Sequence, residues 1–111
     1  MASETYTPNP LAVGDFPHKT HPLSLSGSGT IPAGTPIKSA DGLAGTVASE
    51  LADIPTTIAV TAFDVDVSGG AVEVNCFVSG EMSQSAMTLG NITASALNAS
   101  LRTRGLPLFI V

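Results

Sequence analysis

The sequence is poor in charge, and above all in positive charge. It has four lysine and arginine residues against nine acidic residues, for a net charge of −5 over 111 residues. Phosphate backbones are recognised by clustered cations, so we expect no nucleic-acid partner and no anionic membrane partner. Charged residues make up 12% of the chain, whereas a domain this small ordinarily carries more surface charge. We therefore expect other protein to cover part of its surface.

Three further absences narrow the class of protein. Cys76 is the single cysteine, which excludes an internal disulfide. No apolar run approaches the roughly 20 residues that span a bilayer. The first residues, Met1 to Glu4, are polar and acidic, unlike a secretory signal. These features predict synthesis in the cytosol and a fold without a covalent staple.

Proline is concentrated in the first third of the chain. Six of the eight prolines lie between residues 8 and 36, and proline disfavours helices and central strands. Residues 24–29 form a Ser/Gly joint. We therefore predict an extended N-terminal arm over residues 1–29 and a β-rich domain over residues 30–111. The arm carries apolar side chains that suit it to docking on another protein, the alternative being a frayed terminus; they are Tyr6, Leu11, Val13, Phe16, Leu23 and Leu25.

The domain after residue 30 has strand signals. Residues 36–38, an Asp41-Gly42 turn and a return strand to about Val47 predict one strand pair. Residues 57–67 are rich in β-branched side chains. Residues 71–78 then alternate, which places Val72, Val74, Cys76 and Val78 on one face of a strand. A turn at residues 68–70 predicts that these two runs form a hairpin.

Only one helix is signalled, and it lies near the C-terminus. Asn91 is the predicted N-cap, Leu97 and Leu101 lie on the apolar face, and Gly105 marks the end. The apolar residues that follow, Leu108 to Ile110, predict a short strand buried in the core or at a subunit contact. The predicted fold class is mainly β with one short C-terminal helix, a small α+β protein.

The candidate chemical motifs are weak. Residues 64–69 match the opening of a calcium loop, but Asn75 stands where a bidentate Glu is required. His18 and His21 are three residues apart, and a metal would need further ligands. Cys76 lies on the apolar face of its strand, where cysteine acts as a small hydrophobe rather than a nucleophile. We therefore predict no catalytic, metal or cofactor site, and we do not expect an enzyme.

Residues 33–111 resemble the head decoration proteins, or capsid cement proteins, of tailed bacteriophages. The resemblance lies in the order of several segments and in the total length. A Ser/Ala-rich stretch precedes the one helix. The other segments are Ala33-Gly34-Thr35-Pro36-Ile37, Thr56-Thr57-Ile58-Ala59-Val60, Gly70-Ala71-Val72-Glu73-Val74-Asn75 and Arg102-Thr103-Arg104 ahead of Leu108-Phe109-Ile110-Val111.

The resemblance implies a β-rich homotrimer with an extended N-terminal arm. Such a trimer sits on the outer surface of the virion, at three-fold or quasi-three-fold sites of the expanded head, and stabilises the shell against the pressure of packaged DNA. The arm orders against the major capsid protein, and Leu108, Phe109 and Ile110 become trimer or core contacts. The capsid-binding residues would be Thr5, Tyr6, Thr7, Pro8, Leu11, Val13 and Phe16.

The residues alone leave a second function open. A small oligomeric β-rich module could bind a ligand or a metal through the predicted hairpin and the arm. Because no motif is complete, this alternative rests on the acidic turn at residues 64–69 and on the two histidines.

Overall fold

Short strands and one α-helix make up the part of the chain that the computed structural model describes, residues 12–13 and 17–111. This confirms the prediction of a mainly β protein with one short helix. Two 3₁₀ helices lie at Leu51–Thr56 and Gln84–Ala86. The other elements are β1 (Ala12–Val13), β2 (Thr20–Leu25), β3 (Thr30–Ile31), β4 (Pro36–Lys38), β5 (Ala44–Val47), β6 (Thr57–Thr61), β7 (Val65–Asp66), β8 (Val72–Phe77), β9 (Gly80–Met82), α1 (Ala94–Thr103) and β10 (Leu108–Ile110).

Five strands close a small barrel in the order β2-β5-β4-β6-β8. All neighbours are antiparallel except β2 and β5, which pair in parallel at two residues. Strand β8 alternates as predicted, with Cys76 fully buried and Glu73 and Asn75 exposed. Buried apolar side chains fill the interior of the barrel: Leu23, Leu25, Ile31, Ile37, Ala59, Val65, Val67 and Cys76.

A second core lies between helix α1 and a three-stranded sheet. The sheet has the order β1-β9-β10, with β10 parallel and β1 antiparallel to β9. Leu97 and Leu101 of the helix are fully buried against this sheet, as their spacing predicts. The other buried members of this core are Ala48, Ile54, Val60, Met82, Ile92, Leu108 and Ile110.

The predicted N-cap of the helix is wrong by two residues. Thr93 is the N-cap, and its side-chain oxygen accepts a hydrogen bond from the backbone N–H of Ala96. Asn91 instead donates from its side-chain amide to Oε2 of Glu50, at 2.9 Å. The side chain of Asn91 therefore ties the start of the helical region to the 3₁₀ segment.

The predicted arm is too long. Residues 20–25 form β2, which pairs along its full length with β8, and Leu23 and Leu25 are fully buried in the barrel. Strand β2 can contain Pro22 because of the direction in which the proline nitrogen points. The N–H group of Ser24 donates to the carbonyl oxygen of Leu43, the residue before β5, at 2.9 Å. The nitrogen of Pro22 therefore lies on the same edge of β2, beyond the two residues that pair with β5. The barrel domain therefore begins well before residue 30.

The predicted turn at residues 68–70 is present, with the N–H of Gly70 donating to the carbonyl oxygen of Val67 at 3.1 Å, but the strand before it is not continuous. Strands β6 and β8 are antiparallel neighbours, yet they pair only through Val60–Phe77 and Thr61–Cys76. The β-branched run breaks after Thr61, and β7 pairs with β3 instead. Val65 and Val67 turn into the barrel interior. The connection between β6 and β8 therefore contains the short strand β7 ahead of the turn at residues 68–70.

Replacing Gly34 with alanine should cost roughly 2–4 kcal/mol of unfolding free energy. Gly34 has φ +81°, and an added Cβ would lie 2.5 Å from the backbone oxygen of Ala86. The backbone strain alone costs about 1–2 kcal/mol, and the clash adds to it. Gly42 is the matched control, because it has φ +76° and open space around it. Urea unfolding of both variants measures the difference, and equal losses would contradict the predicted clash.

Candidate interaction surface

Four large apolar side chains are exposed among the described residues. Leu43 is 69% exposed, Leu51 58%, Phe63 68% and Val111 58%. All lie outside the strands and helix α1, and the two cores are filled without them. Single exposed hydrophobes are common, and the chain as a whole carries few charged residues. Burial against another protein would be favourable for each of these side chains.

Three of the four cations in the chain are used within the fold. The Lys38 ammonium lies 2.7 Å from Oδ1 of Asp53. Arg104 donates to the carbonyl oxygen of Ile54 at 3.0 Å, and desolvation lowers the pKa of its guanidinium. The guanidinium of Arg102 lies 3.6 Å from the centre of the Phe109 ring. Lys19 is exposed, so the positive charge available for an outside partner is small.

Asp53 joins the 3₁₀ segment to the barrel. Its carboxylate accepts hydrogen bonds from the Lys38 ammonium and from the backbone N–H groups of Ser49 and Glu50, both at 3.1 Å. These bonds, that from Lys38 first, lower the pKa of Asp53 below its usual value of 3.8. Ile54, the next residue, is buried in the core beneath helix α1. Asp53 therefore holds this segment in place through its ionised form.

Replacing Asp53 with asparagine should lower the melting temperature at pH 7. Because the folded-state pKa of Asp53 is lowered, its contribution is present above pH 3.8 and is lost as the pH falls through the folded-state pKa. The gap between wild type and D53N should therefore close as the pH is lowered below 3.8. Thermal unfolding across pH 2–7 measures this gap, with Glu73→Gln, an exposed carboxylate on β8, as the control. A gap that stays constant with pH would contradict the role of the ionised carboxylate.

An open cleft of about 280 Å³ lies beside β4 and β5. Its volume is at the lower limit of small-molecule sites. Lys38 is the one charged side chain in the lining, and it is already paired with Asp53. The remaining lining residues are small: Ser26, Ser39, Ala40, Ala44, Gly45, Thr46 and Thr56. Such a surface gives little basis for recognition of a charged ligand.

The acidic turn uses its carboxylates to hold the backbone. Asp64 accepts from the N–H of Ala33 at 2.8 Å. Asp66 accepts from the backbone and side chain of Ser68, and these bonds lower its pKa. Across residues 12–13 and 17–111, no group of three or more His, Cys, Asp and Glu side chains could hold a metal ion. The acidic turn is thus ordered by hydrogen bonds to its own carboxylates.

The two histidines bond to different backbone carbonyls, and His21 lies opposite Cys76 in the pairing of β2 with β8. Nε2 of His18 is 3.1 Å from the carbonyl oxygen of Glu81, and Nε2 of His21 is 3.2 Å from that of Gly42. Cys76 is fully buried in the barrel, and burial raises the pKa of its thiol to about 11. At neutral pH the thiol stays protonated and is a poor nucleophile.

Strand β10 is part of the core, and side chains of helix α1 block the edge that does not pair with β9. Leu108 and Ile110 are buried, while Phe109 is half-buried beneath Arg102. Arg102 donates to the carbonyl oxygen of Leu108, and the N–H of Ile110 donates to the side chain of Asn98. These side-chain bonds occupy backbone groups that a further strand would need.

The predicted capsid-binding residues fall almost entirely outside the described part of the chain. Val13 lies in β1, opposite Glu81 of β9. Thr5, Tyr6, Thr7, Pro8, Leu11 and Phe16 lie outside the described residues.

No family model matches the chain, and no curated protein matches its sequence. In the described residues, no helix is both long and apolar enough to cross a membrane.

Proposed function

We propose that the protein is a non-enzymatic capsid decoration protein of a tailed bacteriophage. Three copies associate into a trimer on the outer surface of the head, at three-fold or quasi-three-fold sites of the expanded shell. Each copy contributes an N-terminal arm that binds the major capsid protein. The trimer then joins neighbouring capsomers and resists the outward pressure of packaged DNA.

One observation carries this proposal. Large apolar side chains are exposed on a domain whose two cores are packed without them, and few of its cations are free to bind a partner. Leu43, Leu51 and Phe63 project from a domain that does not need them for its own packing. Contact with other protein covers such side chains favourably. The low charge of the chain is suited to a surface that is covered in an assembly.

The two edges of the three-stranded sheet differ, and this difference favours the N-terminal arm as the capsid-binding segment. Side chains of helix α1 occupy backbone groups of β10, whereas β1 lies at the opposite edge of the sheet and contains Val13 of the predicted capsid-binding set. Strand addition to a capsid protein uses such an N-terminal segment through its backbone groups. Three arms on one trimer bind as linked units, so weak individual contacts give high avidity.

Sedimentation and co-sedimentation with expanded heads test this proposal. The heads are assembled from the major capsid protein of the phage that encodes the chain. We expect a species of three times the 11.1 kDa chain mass, and saturable binding of three copies per three-fold site. A monomer that does not co-sediment with heads, and whose melting temperature rises with calcium or zinc, would instead favour the small binding module.

A further inference from the structure

The residues ahead of β2 continue its ladder with β8. The N–H of Val78 donates to the carbonyl oxygen of Lys19 at 2.9 Å. The hydroxyl of Ser79, which is itself buried, donates to the carbonyl oxygen of Pro17 at 2.6 Å. His18 lies between these two contacts. The segment 17–19 is thus held against residues 78–81 on both sides of one histidine.

His18 packs into a space that only glycine leaves open. An added Cβ at Gly80 would lie 2.3 Å from Cδ2 of the His18 ring. The ring also meets Phe77 edge to face, with ring centres 5.9 Å apart. Because a carbonyl oxygen only accepts, Nε2 of His18 carries the proton and donates to Glu81 at 3.1 Å. The sequence distance between His18 and Glu81 is 63 residues, so this contact fastens the chain where it enters the barrel.

The pairing of β1 is out of register with this ladder. Thr20 lies opposite Phe77, which would place residue 16 opposite Glu81, yet Val13 lies there instead. The two-residue pairing of β1 is therefore separate from the ladder of β2 and far shorter. His18 bonds to the carbonyl of Glu81, the same residue that Val13 faces. The bond from His18 to that carbonyl comes from a side chain and is separate from the pairing of β1.

We propose that His18 is a positioning residue that anchors the root of the capsid-binding arm. This inference rests on the proposed function. The arm then consists of residues 1–16, and β1 is its detachable part. Sixteen extended residues reach about 55 Å from this root. A fixed root keeps the arm short, and a shorter connection raises its effective concentration at the capsid site.

Trypsin cleavage after Lys19 tests the anchor in the isolated protein. The carbonyl of Lys19 is part of the ladder, so cleavage requires local opening. His18→Ala should release the fragment 1–19 at least tenfold faster than wild type, as followed by mass spectrometry. His18→Gln, which keeps a donor near Nε2, should restore much of the protection. His21→Ala is the matched control and should cleave as wild type does. Equal rates for H18A and wild type would overturn the anchor.

Titration onto expanded heads tests whether the anchor positions the arm. If residues 17–19 join the arm, its length grows from 16 to 19 residues, and the −3/2 power of connection length predicts that H18A binds about twofold more weakly across three arms. The trimer and the melting temperature should be unchanged. H18Q should recover this loss, which a contact important only for folding would not predict. Faster cleavage with unchanged head affinity would overturn the positioning role. If wild-type protein does not bind heads while H18A still cleaves faster, the proposed function fails and the anchor stands as a structural contact alone.

Discussion

Removal of residues 2–16 should abolish binding to expanded heads and leave a folded trimer. The buried members of both cores lie between Leu23 and Ile110, so the deletion removes none of them. Loss of three linked arms removes their avidity, so affinity should fall by at least about 100-fold. Binding is measured by titration onto heads, and folding by thermal unfolding. The deletion must stop before β2, because removing residues through 22 would take half of a barrel strand.

A substitution set refines this deletion. Tyr6, Leu11 and Phe16 are the three largest apolar residues of the predicted capsid-binding set. Ordering each arm residue costs about 1–2 kcal/mol, and buried apolar side chains must offset that cost. Replacing these three with serine should therefore weaken head binding without changing the melting temperature. Replacing Ser3 and Asn9 with alanine is the matched control, because both are polar and neither belongs to the predicted capsid-binding set. Head binding that survives both the deletion and the triple substitution would refute a capsid-binding arm.

Replacing Leu101 with alanine should lower the free energy of unfolding by about 2–5 kcal/mol. Leu101 is fully buried between helix α1 and the three-stranded sheet, so truncation removes apolar contacts and leaves a cavity. For a domain of this size, the loss is a large share of the total stability. Urea unfolding measures the change through the midpoint at constant slope.

The control for this substitution is Leu101→Met. It keeps the volume and apolar character of the side chain, so the loss should stay below about 1.5 kcal/mol. If L101A and L101M are equally stable, the second core does not support the fold in the way described. We expect L101A to lower stability and L101M to bind heads normally. This pair of results would show that the second core stabilises the fold without contributing to capsid binding.

The fold could be predicted where the signals are local. The Asp41-Gly42 turn predicted the β4–β5 pair, and side-chain alternation predicted the inward face of β8. The spacing of Leu97 and Leu101 predicted the buried face of the helix. The predicted end of the arm was wrong because strand β2 can contain Pro22. Its nitrogen faces the side of β2 that β5 does not reach, so no backbone N–H is needed there. Composition alone does not reveal which edge of a strand is paired.

The candidate surface could not be predicted in the same way. Leu43 follows Asp41-Gly42, and Phe63 precedes Asp64. Whether a side chain beside a turn points inward depends on contacts made elsewhere in the chain. The contact between His18 and Glu81 joins residues that are distant in sequence, and it depends on the missing Cβ of Gly80. Neither the histidine nor the glycine carries a local signal for this role. The proposed capsid partner rests on the resemblance and on the exposed surface together.

Electron microscopy of the protein mixed with emptied, expanded heads tests the central claim most directly. We predict added density on the outer surface at three-fold and quasi-three-fold positions, sized for three barrel domains, with each N-terminal arm continuous with the capsid protein. Heads mixed with the protein lacking residues 2–16 should show bare three-fold sites. Bare sites with the wild-type protein at saturating concentration would contradict the account.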